Sequence, residues 1–397
     1  MVTQHLCDEL ARAIASVLQE HRHADRALKR LLGPLPPHDE RRQLIARTVY
    51  SVLRHLRRLV WALGEPETFS AEQIGRCIRA WWVLASVPMG KALRSGIPPR
   101  SALSARWDNP PSRAVRSSIP EWLDRYGAEQ CGNRWDALLA AFETEPHIVL
   151  RTNTLKTTRN ELLEQFHRRG IAATPHPVAP DAIVLSEYVN VFALEEFHAG
   201  LFEMQDAASQ AIAPLLDVAP GMRVVDACAG SGGKTLHLAA LMKNRGRIIA
   251  LDTAAWKLAE LRRRAARAGA SCIETRAITS TKVIKRLAGS ADRLLLDLPC
   301  SGSGVWRRNP DGKWHLQPAD MERYHHVQQQ ILRAYLPMLA PSGIAVVCTC
   351  SIFPDEGERL CQTIASSSRW HVLDTGRFDP SAEVEQDGFF WARIQQR

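Results

Sequence analysis

The segment MRVVDACAGSGGKTLHLAALMKNRGRIIALD, residues 222–252, decides the fold class. An apolar, β-branched run ends at Asp226, a glycine-rich turn follows, a helical pattern begins near Gly232, and a second apolar run ends at Asp252. Strand, turn, helix and strand in this order are typical of a parallel sheet whose crossover helices cover both faces. The segment therefore predicts an α/β fold.

The same alternation runs from about residue 205 to the end of the chain. SCIETR (271–276), DRLLLD (292–297) and GIAVVCTC (343–350) read as further strands, and a long helix runs through HHVQQQILRAYLPML (325–339). Apolar runs of this kind favour strands that are buried on both faces. We therefore assign residues 205–397 to one doubly wound α/β domain.

Three segments precede this domain. Residues 1–106 show helical periodicity, most clearly in RRQLIARTVYSVLRHLRRLVWAL (41–63), and predict an all-α domain. WDNPPSRAVRSSIP (107–120) is rich in Pro, Ser and Arg, which is typical of a linker. Residues 121–204 combine the strands HIVLRTN and AIVL with a helix and predict a small α+β domain.

Composition limits the classes of protein that this chain can represent. Its 397 residues predict two or three domains, and no apolar run reaches the length of a membrane span. The amino terminus lacks a secretion signal, so we expect a soluble, cytoplasmic protein whose nine cysteines are reduced. The cysteine spacings match no zinc motif, and no dimer motif is visible; we expect no metal site and a monomer.

The positive charge is concentrated in the first third of the chain. Residues 1–120 hold 19 Lys and Arg against 10 Asp and Glu, whereas the net charge of the remaining residues is zero. A helical surface rich in arginine is one explanation. A surface that binds a polyanion such as RNA is the other, because Lys and Arg neutralise phosphates with release of counterions.

The glycine-rich turn predicts a nucleoside cofactor. It is not a phosphate-binding GxxxxGK[ST] loop, because Cys228 stands where the first glycine is required, and it lacks the GxGxxG spacing of dehydrogenases. Asp252 ends the next strand, where a carboxylate can hold the hydroxyls of a ribose; it could instead serve only to cap the following helix. A nucleoside without a pyrophosphate fits this pattern, and we predict S-adenosylmethionine.

Two thiols and an acid follow the ends of predicted strands, at Cys300, Cys350 and Asp297. Carbon 5 of cytosine is a poor nucleophile until a thiolate adds to carbon 6, and cysteine is the side chain best suited to that addition. A single cysteine here would be read as a small buried hydrophobe. Two of them beside an acid and a methyl donor predict pyrimidine methylation instead.

Several motifs resemble those of the RsmB/Nop/Sun family of RNA 5-methylcytosine methyltransferases. They are DACAGSGGKT, LLLDLPCSGSGVWRRNPDGKW, VVCTCSIFPDEGE, MQDAASQ and LRTNTLK. The amino-terminal helices are similar to the NusB-like RNA-binding domain of the bacterial ribosomal RNA branch. The resemblance implies a Rossmann-like class I methyltransferase domain, an RNA substrate that is most simply 16S ribosomal RNA, and a target base that leaves its stack.

The resemblance also implies roles for individual residues. Cys350 would be the nucleophile, Cys300 would help to release the product, and Asp297 would face the base near nitrogen 3. Arg307, Arg308 and Lys313 would lie beside the RNA. The cofactor would be held by Asp297 and by Cys228, Ala229, Gly230, Ser231, Gly232, Gly233, Lys234, Asp252 and Glu274.

The chain departs from the family pattern at three places. Gly230 and Ser231 replace Ala and Pro of the usual loop, and Gly357 replaces an Asn after the TCS motif. The third cofactor strand lacks the usual Asp that reaches adenine, and it offers Glu274 or Thr275 instead.

These departures leave other functions open. A non-catalytic RNA-binding or ribosome assembly factor would bind RNA without transferring a methyl group. A base N-methyltransferase would need no thiol, and a nicotinamide dehydrogenase would need a different loop spacing.

Overall fold

Two β-sheets form the framework of the chain from residue 148 onward. The structure, a computed structural model, describes residues 2–36 and 39–397. The strands are, in chain order, β1 (Ile148–Thr152), β2 (Ala173–Pro175), β3 (Ala182–Leu185), β4 (Phe202–Met204), β5 (Arg223–Asp226), β6 (Arg247–Asp252), β7 (Ile273–Ala277), β8 (Ala291–Asp297), β9 (Leu339–Thr349), β10 (Trp370–Phe378) and β11 (Phe389–Gln396).

The larger sheet has seven strands in the order β10-β11-β9-β8-β5-β6-β7. The five strands from β9 to β7 are parallel, whereas β11 pairs antiparallel with both β9 and β10. Alternate residues feed two separate cores: Val225 and Leu294 pack on one face, and Val224 and Leu295 on the other. The predicted Rossmann-like α/β domain is confirmed, and burial on both faces explains its unbroken apolar runs.

The antiparallel strands β10 and β11 were not part of the predicted sheet. They extend it beyond β9, with Phe390 opposite Thr349. The helices of this part of the chain are Arg159–Arg168, Glu195–His198, Ala207–Ile212, Gly233–Leu241, Ala255–Ala268, Thr281–Lys285, Pro318–Tyr335 and Glu358–Ala365.

The smaller sheet is antiparallel, in the order β2-β3-β1-β4. The helix Arg159–Arg168 packs on it and begins with a capping box, in which Thr158 and Glu161 satisfy each other's backbone N–H groups. The predicted strands HIVLRTN and AIVL are present as β1 and β3.

The rest of the chain is helical and has a core of its own. Leu53 and Leu56 of the long helix lie among its fully buried residues, together with Ile14 and Trp82. The helices are Gln4–Gln19, Ala24–Leu32, Arg41–Leu63, Ala71–Leu84, Lys91–Arg94, Arg100–Trp107, Arg113–Arg116, Glu121–Cys131, Trp135–Glu143 and Gly312–His315. None of the helices in the described part of the chain is long and apolar enough to cross a bilayer.

The chain divides into two compact units. Residues 1–145 and 305–318 form one unit, and residues 146–304 and 319–397 form the other. The stretch 121–145 lies in the first of these units. Residues 305–318, which the sequence places inside the α/β domain, are part of the helical unit.

The predicted linker 107–120 is also packed into the helical unit. It contains the helix Arg113–Arg116, which Ser112 caps, and Ala114 and Ile119 are almost fully buried. Ser117 and Ser118 form a turn directly after this helix. The composition of the segment is that of a linker, but apolar residues spaced along it provide enough buried surface to order it.

Candidate active site

The carboxyl ends of β5, β6, β8 and β9 meet at one edge of the parallel sheet. Beside them lies a cavity of about 230 Å³. Most of the predicted cofactor residues line it, and two residues from the MQDAASQ motif join them: the lining is Gln205, Ser209, Asp226, Cys228, Ala229, Gly230, Ser231, Gly233, Lys234 and Asp297. The structure thus brings the glycine-rich loop and Asp297 together, as the topology predicts.

The glycine-rich loop needs its glycines for conformation and space. Gly230 and Gly232 have φ angles of +54° and +87°, which glycine adopts without strain. A Cβ atom on Gly232 would lie 2.0 Å from Cδ1 of Leu261, so no side chain fits there. The helix Gly233–Leu241 begins directly afterwards, and its first residues face the cavity.

Asp252 braces this loop from the end of β6. One carboxylate oxygen accepts a hydrogen bond from the N–H of Gly230 at 2.9 Å, and the other accepts one from Ala254 at 2.7 Å. Asp252 can therefore hold the start of the following helix and also bind a ribose. Each of its oxygens keeps a second lone pair for a ribose hydroxyl. The half-buried side chain remains accessible.

Arg151 and Gln205 support the loop from beneath, and the predicted site did not include them. The buried guanidinium of Arg151 donates to the carbonyl of Gly233 at 2.6 Å and to the amide oxygen of Gln205. Burial lowers the pKa of Arg151 to about 10. Both residues lie in the LRTNTLK and MQDAASQ motifs, which carried the only sequence signal for them.

Glu274 does not belong to the site. It lies near the start of β7, opposite Ile249, and its carboxylate pairs with Arg247 and Arg276. The residue of β7 that lies level with Asp252 is Ala277. The strand continues past the predicted SCIETR segment, so Glu274 falls about 10 Å short of the carboxyl edge.

Asp297 is held in place from two sides. One oxygen accepts a hydrogen bond from the ammonium group of Lys234 at 2.7 Å, and Sγ of Cys348 lies 3.4 Å from the other. Burial alone would lower the pKa of Lys234, but the charge of Asp297 raises it above its usual value. Asp226, next to this pair, has its pKa raised to about 7 by burial, although the hydroxyl of Thr235 donates to it at 2.7 Å.

The two cysteines named from the sequence are neighbours. Their sulfur atoms are 3.4 Å apart, although 50 residues separate them in the chain. The N–H of Gly304 donates to the carbonyl of Cys350 at 2.9 Å, which ties the two strand-end loops together. The hydrogen bond to Cys350, burial and the charge of Glu356 together raise the pKa of Cys300 well above its usual value.

Glu356 organises the loop that carries Cys300, and sequence reasoning missed it. Its buried carboxylate accepts hydrogen bonds from the N–H of Ser301 at 2.9 Å, from the hydroxyl of Ser301 at 2.5 Å, and from Gln328 at 3.2 Å. Burial raises its pKa. The motif PDEGE contains three acids, and nothing in the pattern distinguishes the buried one.

Gly357, which departs from the family pattern, has a packing reason in this chain. A Cβ atom at this position would lie 2.8 Å from Cγ of Phe390. The ring of Phe390 thus occupies the space that an Asn side chain would need. The departure is accommodated by β11 and leaves the contacts of Glu356 intact.

We expect Glu356→Ala to loosen the Cys300 loop. The N–H of Ser301 would lose its buried acceptor, and the amide of Gln328 would keep only the carbonyl of Pro299, which should lower the free energy of unfolding by about 2–4 kcal/mol. Thermal unfolding of the variant measures this loss. The matched control is Glu358→Ala, because Glu358 forms a half-exposed ion pair with Arg377 and should contribute less than about 1 kcal/mol. Equal effects of the two substitutions would contradict the assignment.

Two of the three basic residues expected beside RNA require a correction. Arg307 is fully buried and Lys313 nearly so, both within the helical unit, whereas Arg308 is half-buried. The ammonium group of Lys313 donates to the carbonyls of Arg54 and Ser117 at 2.7 and 3.1 Å. Burial, followed by the charge of Arg54, lowers the pKa of Lys313 well below its usual value. Arg307 and Lys313 are therefore packing residues.

Lys313 donates a hydrogen bond to a carbonyl at a kink in the long helix. The backbone of His55 leaves the helical region there (φ −118°, ψ 21°), and the N–H of Arg58 donates to the hydroxyl of Ser118 instead of continuing the helical ladder. The carbonyl of Arg54 is thus left for Lys313. The basic motif in the sequence does not reveal that the carbonyl of Arg54 requires a donor.

We expect Lys313→Met to destabilise the helical unit without a specific effect on RNA binding. Two buried carbonyls would lose their donor, at a cost of about 3 kcal/mol in the free energy of unfolding. Thermal unfolding and the dependence of RNA affinity on salt measure the two quantities, with exposed Lys91→Met as the control. If the slope of log RNA affinity against log salt concentration fell by about one in the Lys313 variant and not in the control, the predicted contact of Lys313 with an RNA phosphate would be supported after all.

Comparison with known proteins identifies the family. Residues 213–395 match the family model "16S rRNA methyltransferase RsmB/F", and residues 119–192 match the ferredoxin-like domain model of the same proteins. Ribosomal RNA small subunit methyltransferase B of Pseudomonas syringae is 33% identical over 297 residues, which are 70% of this chain and 66% of that protein.

Two further matches cover the whole chain. Ribosomal RNA small subunit methyltransferase B of Yersinia pseudotuberculosis is 28% identical over 434 aligned positions, which cover 99% of both chains. The crystal structure of PH0851 is similar in fold, with a TM-score of 0.84 and 21% identity over 100% of this chain and 99% of that one. With these family models and relatives, this chain belongs to the RsmB/F family of 16S rRNA methyltransferases.

Proposed function

We propose that this protein transfers a methyl group from S-adenosylmethionine to carbon 5 of a cytosine in small-subunit ribosomal RNA. The observation that carries the proposal is the pair of sulfur atoms 3.4 Å apart, at the sheet edge that also holds Asp297. A base N-methyltransferase needs neither thiol. Two cysteines brought together from positions 50 residues apart fit a reaction in which one adds to the base and the other serves its release.

The lining of the cavity at the strand ends supports S-adenosylmethionine as the cofactor. S-adenosylmethionine supplies an electrophilic methyl group when it is bound. The loop from Cys228 to Lys234 would enclose it with backbone N–H groups, and Asp252 would accept hydrogen bonds from its ribose. The presence of Gly230 and Ser231 instead of the family's Ala and Pro leaves the loop attached to Asp252. The N–H of Gly230 still donates a hydrogen bond to that carboxylate.

Cys350 is the nucleophile in this proposal. Cys300 retains its proton because its pKa is raised, first by the hydrogen bond that it shares with Cys350. In the proposed reaction Cys350 therefore acts as the thiolate of the pair. Its thiolate adds to carbon 6 of the base, which makes carbon 5 nucleophilic.

Cys300 serves product release. Once the sulfur of Cys350 is bonded to carbon 6, it carries no charge beside Cys300, and in this proposal Cys300 then gives up its proton to solvent. The Cys300 thiolate then takes the proton from carbon 5, and the electrons of that C–H bond expel Cys350 as a thiolate. One proton is released for each methyl group transferred, and both cysteines return to their starting states.

Asp297 positions the base. Lys234 and Cys348 hold its carboxylate, so its orientation is set before RNA binds. A remaining lone pair would accept a hydrogen bond from the amino group of cytosine or share a proton at nitrogen 3. The excess of positive charge in residues 1–120 supports RNA as the partner.

A methyl-transfer assay with a labelled cofactor tests the proposal. The purified protein is incubated with small-subunit RNA from cells that lack it, both free and in ribosomal particles, and the RNA is digested to nucleosides. We expect the label in 5-methylcytidine at a single position. Label in an N-methylated base, or cofactor and RNA binding without any transfer, would contradict the proposal; the latter would favour an assembly factor.

A further inference from the structure

Three side chains of the helical unit converge in a way that the methylation chemistry does not use. His23 lies between the first two helices, whereas Asp311 and His315 belong to the segment 305–318. One potential metal-binding atom of each lies within 4.8 Å of those of the other two. Residues 288 positions apart have thus been brought together with two imidazoles and one carboxylate, a donor set suited to zinc.

The surroundings of His315 prepare it as a ligand. Its Nε2 atom lies 2.9 Å from the carbonyl of Val17, which can only accept a hydrogen bond. The proton therefore lies on Nε2, and Nδ1 keeps its lone pair. Metal-binding histidines are commonly oriented by such a hydrogen bond from the second ring nitrogen.

Asp311 is a buried acid between the two rings. Its Oδ2 atom accepts a hydrogen bond from the N–H of Ala24 at 3.1 Å and lies 3.7 Å from Nδ1 of His23. A purely structural role would be to cap the helix Ala24–Leu32, which has no cap from His23. That role engages one oxygen and requires neither imidazole, so it leaves the convergence of His315 unexplained.

We propose that His23, Asp311 and His315 bind one divalent zinc ion. The nitrogens and the carboxylate oxygen must close by about 1 Å to reach bonding distances, and the exposed ring of His23 is free to make that movement. Water or His21, whose ring lies 5.5 Å from that of His315, completes the tetrahedron. The ion would fasten the segment 305–318 to the turn between the first two helices.

Zinc binding to the full-length, chelator-treated protein tests the site. The probe is ZnCl₂, followed by equilibrium dialysis and thermal unfolding, with Co²⁺ as a spectroscopic substitute. The variant is His23→Ala, since His23 is exposed and its loss should not disturb folding; His5→Ala is the matched control in the same unit. We expect wild type and His5→Ala each to bind one zinc ion at this site. In His23→Ala the affinity for that ion should fall by at least about 100-fold, so that at the same zinc concentration this variant binds one ion fewer.

Thermal unfolding and the cobalt spectrum give independent outcomes. Zinc should raise the unfolding temperature of wild type and not of His23→Ala. Cobalt bound at the site should show no sulfur ligation. Equal zinc stoichiometry and affinity in wild type and His23→Ala, or binding that thiol alkylation abolishes, would overturn the proposal. Neither result bears on methyl transfer, because none of these residues belongs to the candidate active site.

Discussion

Cys350→Ala is expected to abolish methyl transfer, with a loss of at least about 10⁴-fold in kcat. No other group in the proposed reaction can add to carbon 6, so carbon 5 remains unreactive. Binding of S-adenosylmethionine should be unchanged, because the loop from Cys228 to Lys234 and Asp252 is intact. Transfer of labelled methyl to RNA and calorimetric binding of the cofactor measure the two quantities.

The matched control for this variant is Cys272→Ala. Cys272 is also half-buried and lies directly before β7, away from the carboxyl edge of the sheet. Its loss should leave the rate within a few fold of wild type. If Cys350→Ala kept substantial activity, the covalent route would be wrong, and methylation at a base nitrogen would become the better explanation.

Cys300→Ala is expected to stop the reaction after the first half. Cys350 can still add to the base and the methyl group can still be transferred, but the proton on carbon 5 is not removed efficiently. The enzyme should remain bonded to methylated RNA, and turnover should fall by about 10²–10⁴-fold. A denaturing gel with labelled RNA measures the trapped complex directly.

The double variant Cys300→Ala/Cys350→Ala serves as the control, since it lacks the nucleophile and should form no complex. A stable complex that survives in the double variant would point to another nucleophile. Rapid turnover by Cys300→Ala would remove Cys300 from the mechanism, and a different base would then have to be sought near Asp297.

The helical unit shows how a charge pattern can mislead. Arg307, Arg308 and Lys313 lie in a conspicuously basic run, yet Arg307 and Lys313 are buried. The excess of charge in residues 1–120 remains a reason to expect RNA there. The sign of a residue's charge says which partners suit it, whereas packing decides whether a phosphate or a backbone carbonyl is that partner.

The sequence by itself determined the fold class and the edge at which the chemistry lies. Apolar runs alternating with helical periodicity specify a parallel sheet, and the ends of parallel strands must meet. This placed the loop Cys228–Lys234, Asp252, Asp297 and the two thiols at one edge. These signals are local in the chain, because each depends on a repeat of two or 3.6 residues.

Tertiary structure alone decided how those residues pair. The short distance between Cys300 and Cys350, the choice of Glu356 among three neighbouring acids, and the exclusion of Glu274 by three residues of strand all depend on register and packing. The approach of His23 to Asp311 and His315 joins distant parts of the chain. Periodicity records which face of an element is buried but not which side chains meet there, since that depends on how separate elements pack together.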